Sequence, residues 1–190
     1  MKQLVLFLEE ASAKAALEGL LPRLLSEDVF VRYVVFEGKT DLEKQIVKRL
    51  KEWIYPKTAF IILRDQDSGD CYKIKHILRE KCIEAGKPET IVRIACKELE
   101  SWYFGELSAV EKAFELANLA KYSKSSKYRI PDKITKPSVE LAKITNKKYQ
   151  KISGSREIGK CLSIETEKNT SLSYSHFISG LNKALASLCT

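Results

Sequence analysis

Short apolar runs rich in β-branched and aromatic residues alternate with stretches of helical period, and this alternation constrains the fold more than any other feature of the chain. The runs occupy residues 3–8, 30–36 and 59–63, with a weaker fourth at 90–96. Runs this short and this uniformly apolar suit central strands of a parallel sheet, covered on both faces. Between them, residues 12–25 set Leu17, Leu20, Leu21, Leu24 and Leu25 on one helical face. Residues 41–53 do the same with Leu42, Ile46, Leu50 and Trp53, and residues 72–85 with Ile74, Ile77, Leu78, Cys82 and Ala85. The order strand, helix, strand, helix, strand, helix, strand predicts an α/β fold with a mostly parallel sheet, flanking helices and right-handed crossovers.

The pattern changes near residue 121. Residues 121–136 mix Lys, Ser, Tyr and Pro without apolar periodicity and read as a long loop. Helices are expected after Pro137, over 155–162, and over 174–188, where Phe177, Ile178, Leu181, Ala184, Leu185 and Leu188 share a face. The expected organisation is an α/β domain over 1–120 and a basic helical appendage over 121–190, packed on it or beside it.

Composition narrows the chemistry. Five cysteines form no CxxC pair, and only His76 and His176 could join them, which gives no support to a zinc site. The thiols read as buried apolar groups in a reducing compartment. The opening run, Leu4 to Leu8, is too short to span a membrane and ends in two glutamates, so a cytoplasmic location without membrane association is expected. The net charge of +8 points to an anionic partner, nucleic acid above all.

Acidic residues gather where an open α/β sheet keeps its function, at the carboxyl ends of strands. The first run ends in Glu9 and Glu10, the third in Asp65-Gln66-Asp67-Ser68-Gly69-Asp70, and the fourth leads to Glu98 and Glu100. Converging carboxylates repel one another unless a cation neutralises them, and hard oxygen ligands suit Mg²⁺ or Mn²⁺. Residues two apart in an extended segment point the same way, so Asp65 and Asp67 are expected to face one ion. Asp70 fits either a metal ligand or the cap of the following helix.

Positive charge is local. Residues 121–160 hold twelve bases against three acids, a surplus larger than that of the whole chain. Tyr122, Tyr128 and Tyr149 are interleaved with the bases and placed to stack on bases or sugars. Lys147, Lys148, Lys151, Ser153, Gly154, Ser155 and Arg156 form the sharpest candidate for backbone contact. There, Gly and Ser ahead of a helix would offer N–H groups to phosphate and Arg156 a bidentate contact.

Strand-Glu, helix, strand, helix, strand-DxD resembles the Toprim domain of topoisomerases, bacterial primases and overcoming-lysogenization-defect nucleases. The resemblance is carried by LVLFLEEASAK at Leu4–Lys14 and FIILRDQDSGD at Phe60–Asp70, and covers about the first hundred residues. LFLEEASAKAALEGLLPRLL, LRDQDSGD, KELESWYFGE and KISGSREIG are similar to the hallmarks of a narrower bacterial family of Toprim-like proteins. The implied fold is Toprim-like, that is, Rossmann-like. The implied site has Asp65 and Asp67 as Mg²⁺ (or Mn²⁺) ligands and a glutamate as ligand or general base, with Glu100 and Asp70 as further candidates. Glu9 is the preferred match to that glutamate and Glu10 the second, because with Glu9 in register Glu10 stands where the Toprim motif carries glycine. A rival placement uses Glu37-Gly38, directly before the DxD strand, although the usual order leaves a strand between the two motifs.

The function implied is a metal-dependent nuclease acting on DNA or RNA. The resemblance further implies an ABC-class ATPase as partner and a place in defence or toxin-like systems. The alternative is a binding module of the same fold that contacts nucleic acid or the ATPase without cutting.

Overall fold

The computed structural model describes residues 2–189. Four strands, β1 (Lys2–Leu8), β2 (Val29–Val35), β3 (Thr58–Asp65) and β4 (Ile91–Ala95), form one sheet in the order β2-β1-β3-β4. All three pairings are parallel. The α/β expectation is met: α1 (Ala11–Leu20), α2 (Lys39–Lys51) and α3 (Cys71–Glu84) link the strands in turn, as in a Rossmann-like fold.

Alternation along each strand divides the core. Leu4, Leu6 and Leu8 of β1 join Ala59, Ile61 and Leu63 of β3 under α1. Val5 and Phe7 join Phe60 and Ile62 under α2 and α3. Leu4 through Leu8 are all fully excluded from water, and no polar residue interrupts β1 between Gln3 and Glu9.

The second half of the chain covers the α1 face. α4 (Ser101–Phe104) and α5 (Leu107–Phe114) follow β4, and α6 (Pro137–Ile144), α7 (Lys151–Cys161) and α8 (Leu172–Ser187) complete the layer. Leu141, Ile158, Phe177 and Leu181 share one core with β1 and β3. Helices α4 and α5 were not foreseen. In α4, Trp102, Tyr103 and Phe104 are all buried and leave no polar side to announce a helix. α5 is amphipathic, with Leu107 and Val110 buried and Ser108 and Lys112 exposed, but spans only eight residues. The 121–136 stretch is a loop with two 3-10 turns, Ala120–Lys124 and Pro131–Lys133. Of the five thiols only Cys82 is buried and Cys189 is exposed, so the expectation of buried cysteines holds for one of them.

Helix α7 packs along α1 at very short range. A Cβ on Gly159 would stand 2.2 Å from the Ala16 carbonyl oxygen, and one on Gly19 would stand 2.6 Å from the Arg156 carbonyl oxygen. Backbone lies against backbone here, so a methyl group has nowhere to go. Helical Gly→Ala normally stabilises by about 1 kcal/mol. Gly159→Ala is expected to do the reverse, lowering stability by roughly 1–3 kcal/mol through overpacking. Urea denaturation checks this, and an unchanged or raised midpoint would contradict the close seam.

Candidate active site at the carboxyl edge of the sheet

Strand β1 lies between β2 and β3, and the helices following β1 and β3 lie on opposite faces. The crevice outside their carboxyl ends is therefore the switch point of the sheet, where open α/β folds bind ligands. Glu9 and Glu10 leave β1 there. Asp65 ends β3, in register with Ala95 at the end of β4.

Strand alternation sends these acids to opposite faces. Glu9 continues the side of Val5 and Phe7. Its Oε2 accepts the Asp65 backbone N–H at 3.0 Å and lies 3.9 Å from Arg64 Nε. Arg64 is itself buried, ion-paired with Glu43 of α2, and its Nε finds no hydrogen-bond partner. Glu10 lies on the α1 side. Ser12 Oγ donates to its Oε1, and the Lys151 ammonium at the start of α7 donates to its Oε2 at 2.7 Å.

Asp65 faces the same side as Glu10, in the line of Ala59, Ile61 and Leu63. Glu100 completes this group from the segment after β4. Glu100 is wholly buried. Its Oε1 accepts the Tyr149 hydroxyl at 2.6 Å, and its Oε2 has no hydrogen-bond partner. The Tyr149 hydroxyl also lies 3.1 Å from Ser155 Oγ, and the Tyr149 ring meets Tyr103 edge-on. Thus LEEAS, KELESWYF and KISGS, far apart in the chain, meet around one buried carboxylate.

The charges disturb one another. Burial pushes the Asp65 carboxyl well above the usual range, and Glu10, Glu100 and Glu9 push it further. Burial raises Glu100, partly opposed by the Tyr149 hydrogen bond. Burial also raises Glu9, against the Asp65 N–H that favours its charged form. Burial works against the Lys151 ammonium, but its hydrogen bond to Glu10 and the charges of Glu10, Glu100 and Asp65 outweigh this and raise its pKa. Burial, with Tyr103 and Glu100 beside it, drives the Tyr149 phenol far upward, so it remains a donor.

Several expected placements differ. Asp67 does not face the same way as Asp65. The strand ends at Asp65, and Asp67 adopts a left-handed φ of 53° that turns it to Lys39, 2.7 Å away. Asp67 still contributes charge near Glu9. Asp70 caps α3, accepting the Lys73 N–H at 2.9 Å. Glu37, the rival motif glutamate, is exposed beyond β2. Among the described residues, no three His, Cys, Asp or Glu side chains stand close enough to clasp a metal as they are.

The basic segment also differs in detail. Ser153, Gly154 and Ser155 lie inside α7, not ahead of it, and the Gly154 N–H already bonds Gln150 O at 2.7 Å. Gly154 and Ser155 are buried. Arg156 pairs with Glu18 of α1 at 2.7 Å, Lys148 Nζ donates to Phe114 O at 3.2 Å, and Lys147 is exposed. Tyr128 and Tyr149 do not stand ready to stack on bases. Both are core residues, Tyr128 stacked on Phe104 with ring centroids 4.9 Å apart. Only their positions between lysines gave them a surface character. Tyr103 and Arg64 were missed as site residues, and Tyr149 and Ser155 were read as nucleic-acid contacts rather than as partners of Glu100, because contacts such as that of Tyr149 with Glu100 span 49 positions of sequence.

The family model described as a domain of unknown function (DUF4276) matches residues 8–182, and the chain belongs to that family. No curated protein and no solved structure matches it.

A carboxyl whose pKa is higher in the folded than in the unfolded chain carries no penalty below its unfolded value. The penalty grows as pH rises toward the folded value and is complete above it. Asp65, Glu100 and Glu9 all have this sign. Asp65→Asn should therefore raise the thermal midpoint near neutral pH by roughly 2–4 °C, the shift of about 1 kcal/mol in a domain this size. The gain should shrink as pH falls into the ordinary carboxylate range. Thermal unfolding at several pH values reads this out, and a lower midpoint for the variant at neutral pH would contradict the mutual repulsion.

Proposed function

We propose that this DUF4276 protein is a divalent-metal-dependent phosphodiesterase acting on nucleic acid, with Glu10, Asp65 and Glu100 as its cation-holding face. One observation carries the reading: Glu100 is fully buried with an unpartnered oxygen, close enough to Asp65 that its charge, with those of Glu10 and Glu9, adds to the burial that raises the Asp65 carboxyl. A neutral core would not maintain such a group, since an unsatisfied buried carboxyl oxygen costs roughly 1–3 kcal/mol or more. A hard dication supplies both the missing partner and the missing charge. Mg²⁺ binds through one or two carboxylates while keeping several waters, so it does not require three acids already in contact.

The chain's own groups divide the work. Asp65 and Glu10 bind from the strand ends, and Glu100 from behind them. Tyr149 orients Glu100 by its hydroxyl, and Ser155 steadies Tyr149. Glu9 fixes the end of β3 through the Asp65 N–H from the other face. Lys151 sits where it can exchange Glu10 for a phosphate oxygen. A bound Mg²⁺ or Mn²⁺ would polarise the phosphoryl group and acidify an attacking water. The twelve bases of residues 121–160 are all exposed and hold the backbone without reading sequence.

The Toprim resemblance supports the reaction class and the link to an ABC-class ATPase in defence or toxin-like systems. Among the described residues no helix is long and apolar enough to cross a membrane, and five unpaired thiols suit a cytoplasmic setting.

The test is incubation of the purified protein with end-labelled DNA and RNA in Mg²⁺, Mn²⁺ or EDTA. Wild type should cut with metal and not with EDTA. Asp65→Asn and Glu10→Gln should each slow cutting about 10²-fold or more, the scale of losing an acid–base or ligand group, while retaining binding in EDTA. Glu9→Gln should lose less, because Glu9 lies on the other face of the sheet. Cutting by Asp65→Asn or Glu10→Gln at the wild-type rate would refute the assignment. Metal-independent binding without cutting by wild type would leave the protein a nucleic-acid-binding module.

A further inference from the structure

Strand β2 forms an edge of the sheet and pairs only with β1. The Phe36 N–H donates inward to Leu8 O, so by alternation the N–H groups of Val31, Tyr33 and Val35 point away from the sheet. Proteins usually protect such an edge with charged side chains, a covering loop, a bulge or a proline, and Arg32 is the one charge that β2 carries. None of the seven residues Val29–Val35 is proline, and the edge is flanked by a groove on each face.

The two grooves differ in character. On the α2 side, Arg32, Arg49, Trp53, Ile54 and Tyr55 line a depression beside the strand. Ile54 is 86% exposed and Tyr55 59%. The Arg32 guanidinium rests 5.7 Å from the Trp53 ring centroid and 5.9 Å from that of Phe30, and it forms no salt bridge among the described residues. Glu52, the acid of this groove, is already paired with Lys48. On the α1 side, Leu21, Leu25, Val29, Val31 and Tyr33 line an apolar groove, with Glu18 and Glu27 at its rim.

An open strand edge between two grooves is matched by polypeptide, which supplies backbone partners and alternating side chains together. A nucleic acid would leave the outward amides unused. A second copy is disfavoured by charge. Antiparallel pairing of two β2 edges with full overlap sets Arg32, the central residue of Val29–Val35, directly opposite its own copy. Like charges in that position are destabilising.

We propose that the β2 edge is a docking site for an extended segment of a partner protein, added as a further strand. The segment carries an acidic side chain facing Arg32 and apolar side chains at the alternate positions, which enter the groove of Val29, Val31 and Tyr33. None of these residues belongs to the carboxyl-edge cluster, so the inference stands apart from the nuclease reading.

The probe is a fluorescein-labelled peptide of alternating Val and Asp, compared with alternating Val and Lys of equal length, added to the full chain. Anisotropy should show the Asp peptide binding at least tenfold tighter. Amide hydrogen exchange should slow at Val31, Tyr33 and Val35 in its presence. Arg32→Glu, an exposed substitution that leaves the core intact, should lose the Asp peptide at least tenfold and favour the Lys peptide. The proposal is overturned if neither peptide binds, if Arg32→Glu binds as wild type does, or if the Asp peptide binds without protecting those amides. It is equally overturned if sedimentation shows a dimer in which the same amides are protected without peptide, since the occupant is then a second copy.

Discussion

Burial of β1 on both faces is the constraint on which the structure depends. Five consecutive residues, Leu4 to Leu8, are closed off from water between two helical layers. Fully burying them stabilises the fold by on the order of 10 kcal/mol, comparable with the net stability of a whole domain. The strand cannot shift along its neighbours without drawing Glu9 into an apolar layer. Its carboxyl end is therefore fixed beside that of β3, and the first polar residues after it must emerge at the switch point. The position of the candidate site follows from the burial of the strand beneath it.

Alternation then decides which acids cooperate. Two adjacent glutamates leave a strand whose sides are both occupied, so Glu9 goes toward Arg64 and α2, and Glu10 toward Asp65 and α7. The resemblance favoured Glu9 and placed Glu10 second. The face of the sheet separates them: Asp65 lies on the side of Glu10. The tight seam between α1 and α7 matters for the same reason. With Gly19 and Gly159 the helices approach until Lys151 reaches Glu10 and Arg156 reaches Glu18.

The fold was largely legible because its signals are local. Each strand and the three crossover helices followed from period and composition, with ends displaced by a residue or two except in α1, which stops at Leu20 where the helical face was expected to run to residue 25. Helix α4 was not legible, since Trp102, Tyr103 and Phe104 show no polar side, and α5 is an amphipathic helix of only eight residues. The site was legible in its acids and not in their partners. Strand ends named Glu9, Glu10, Asp65 and Glu100, but nothing near Tyr149 in sequence marks it as the donor to Glu100 across the core. Asp67 was misdirected because the argument of residues two apart assumed extended backbone, and the chain turns left-handed there. Lysine-rich surroundings likewise made Tyr128 and Tyr149 look like surface rings when both are packed inside.

What remains physically open at the carboxyl edge is the charge that balances Asp65, Glu10 and Glu100. Lys151 supplies one positive charge and reaches Glu10 only. The most direct measurement is an anomalous difference map from crystals of the protein soaked in Mn²⁺. A peak bounded by Asp65, Glu10 and Glu100, with Lys151 displaced from Glu10, is the expected result. A peak on the Glu9 and Asp67 side, or none at a concentration that saturates binding in solution, would contradict the cation-holding face.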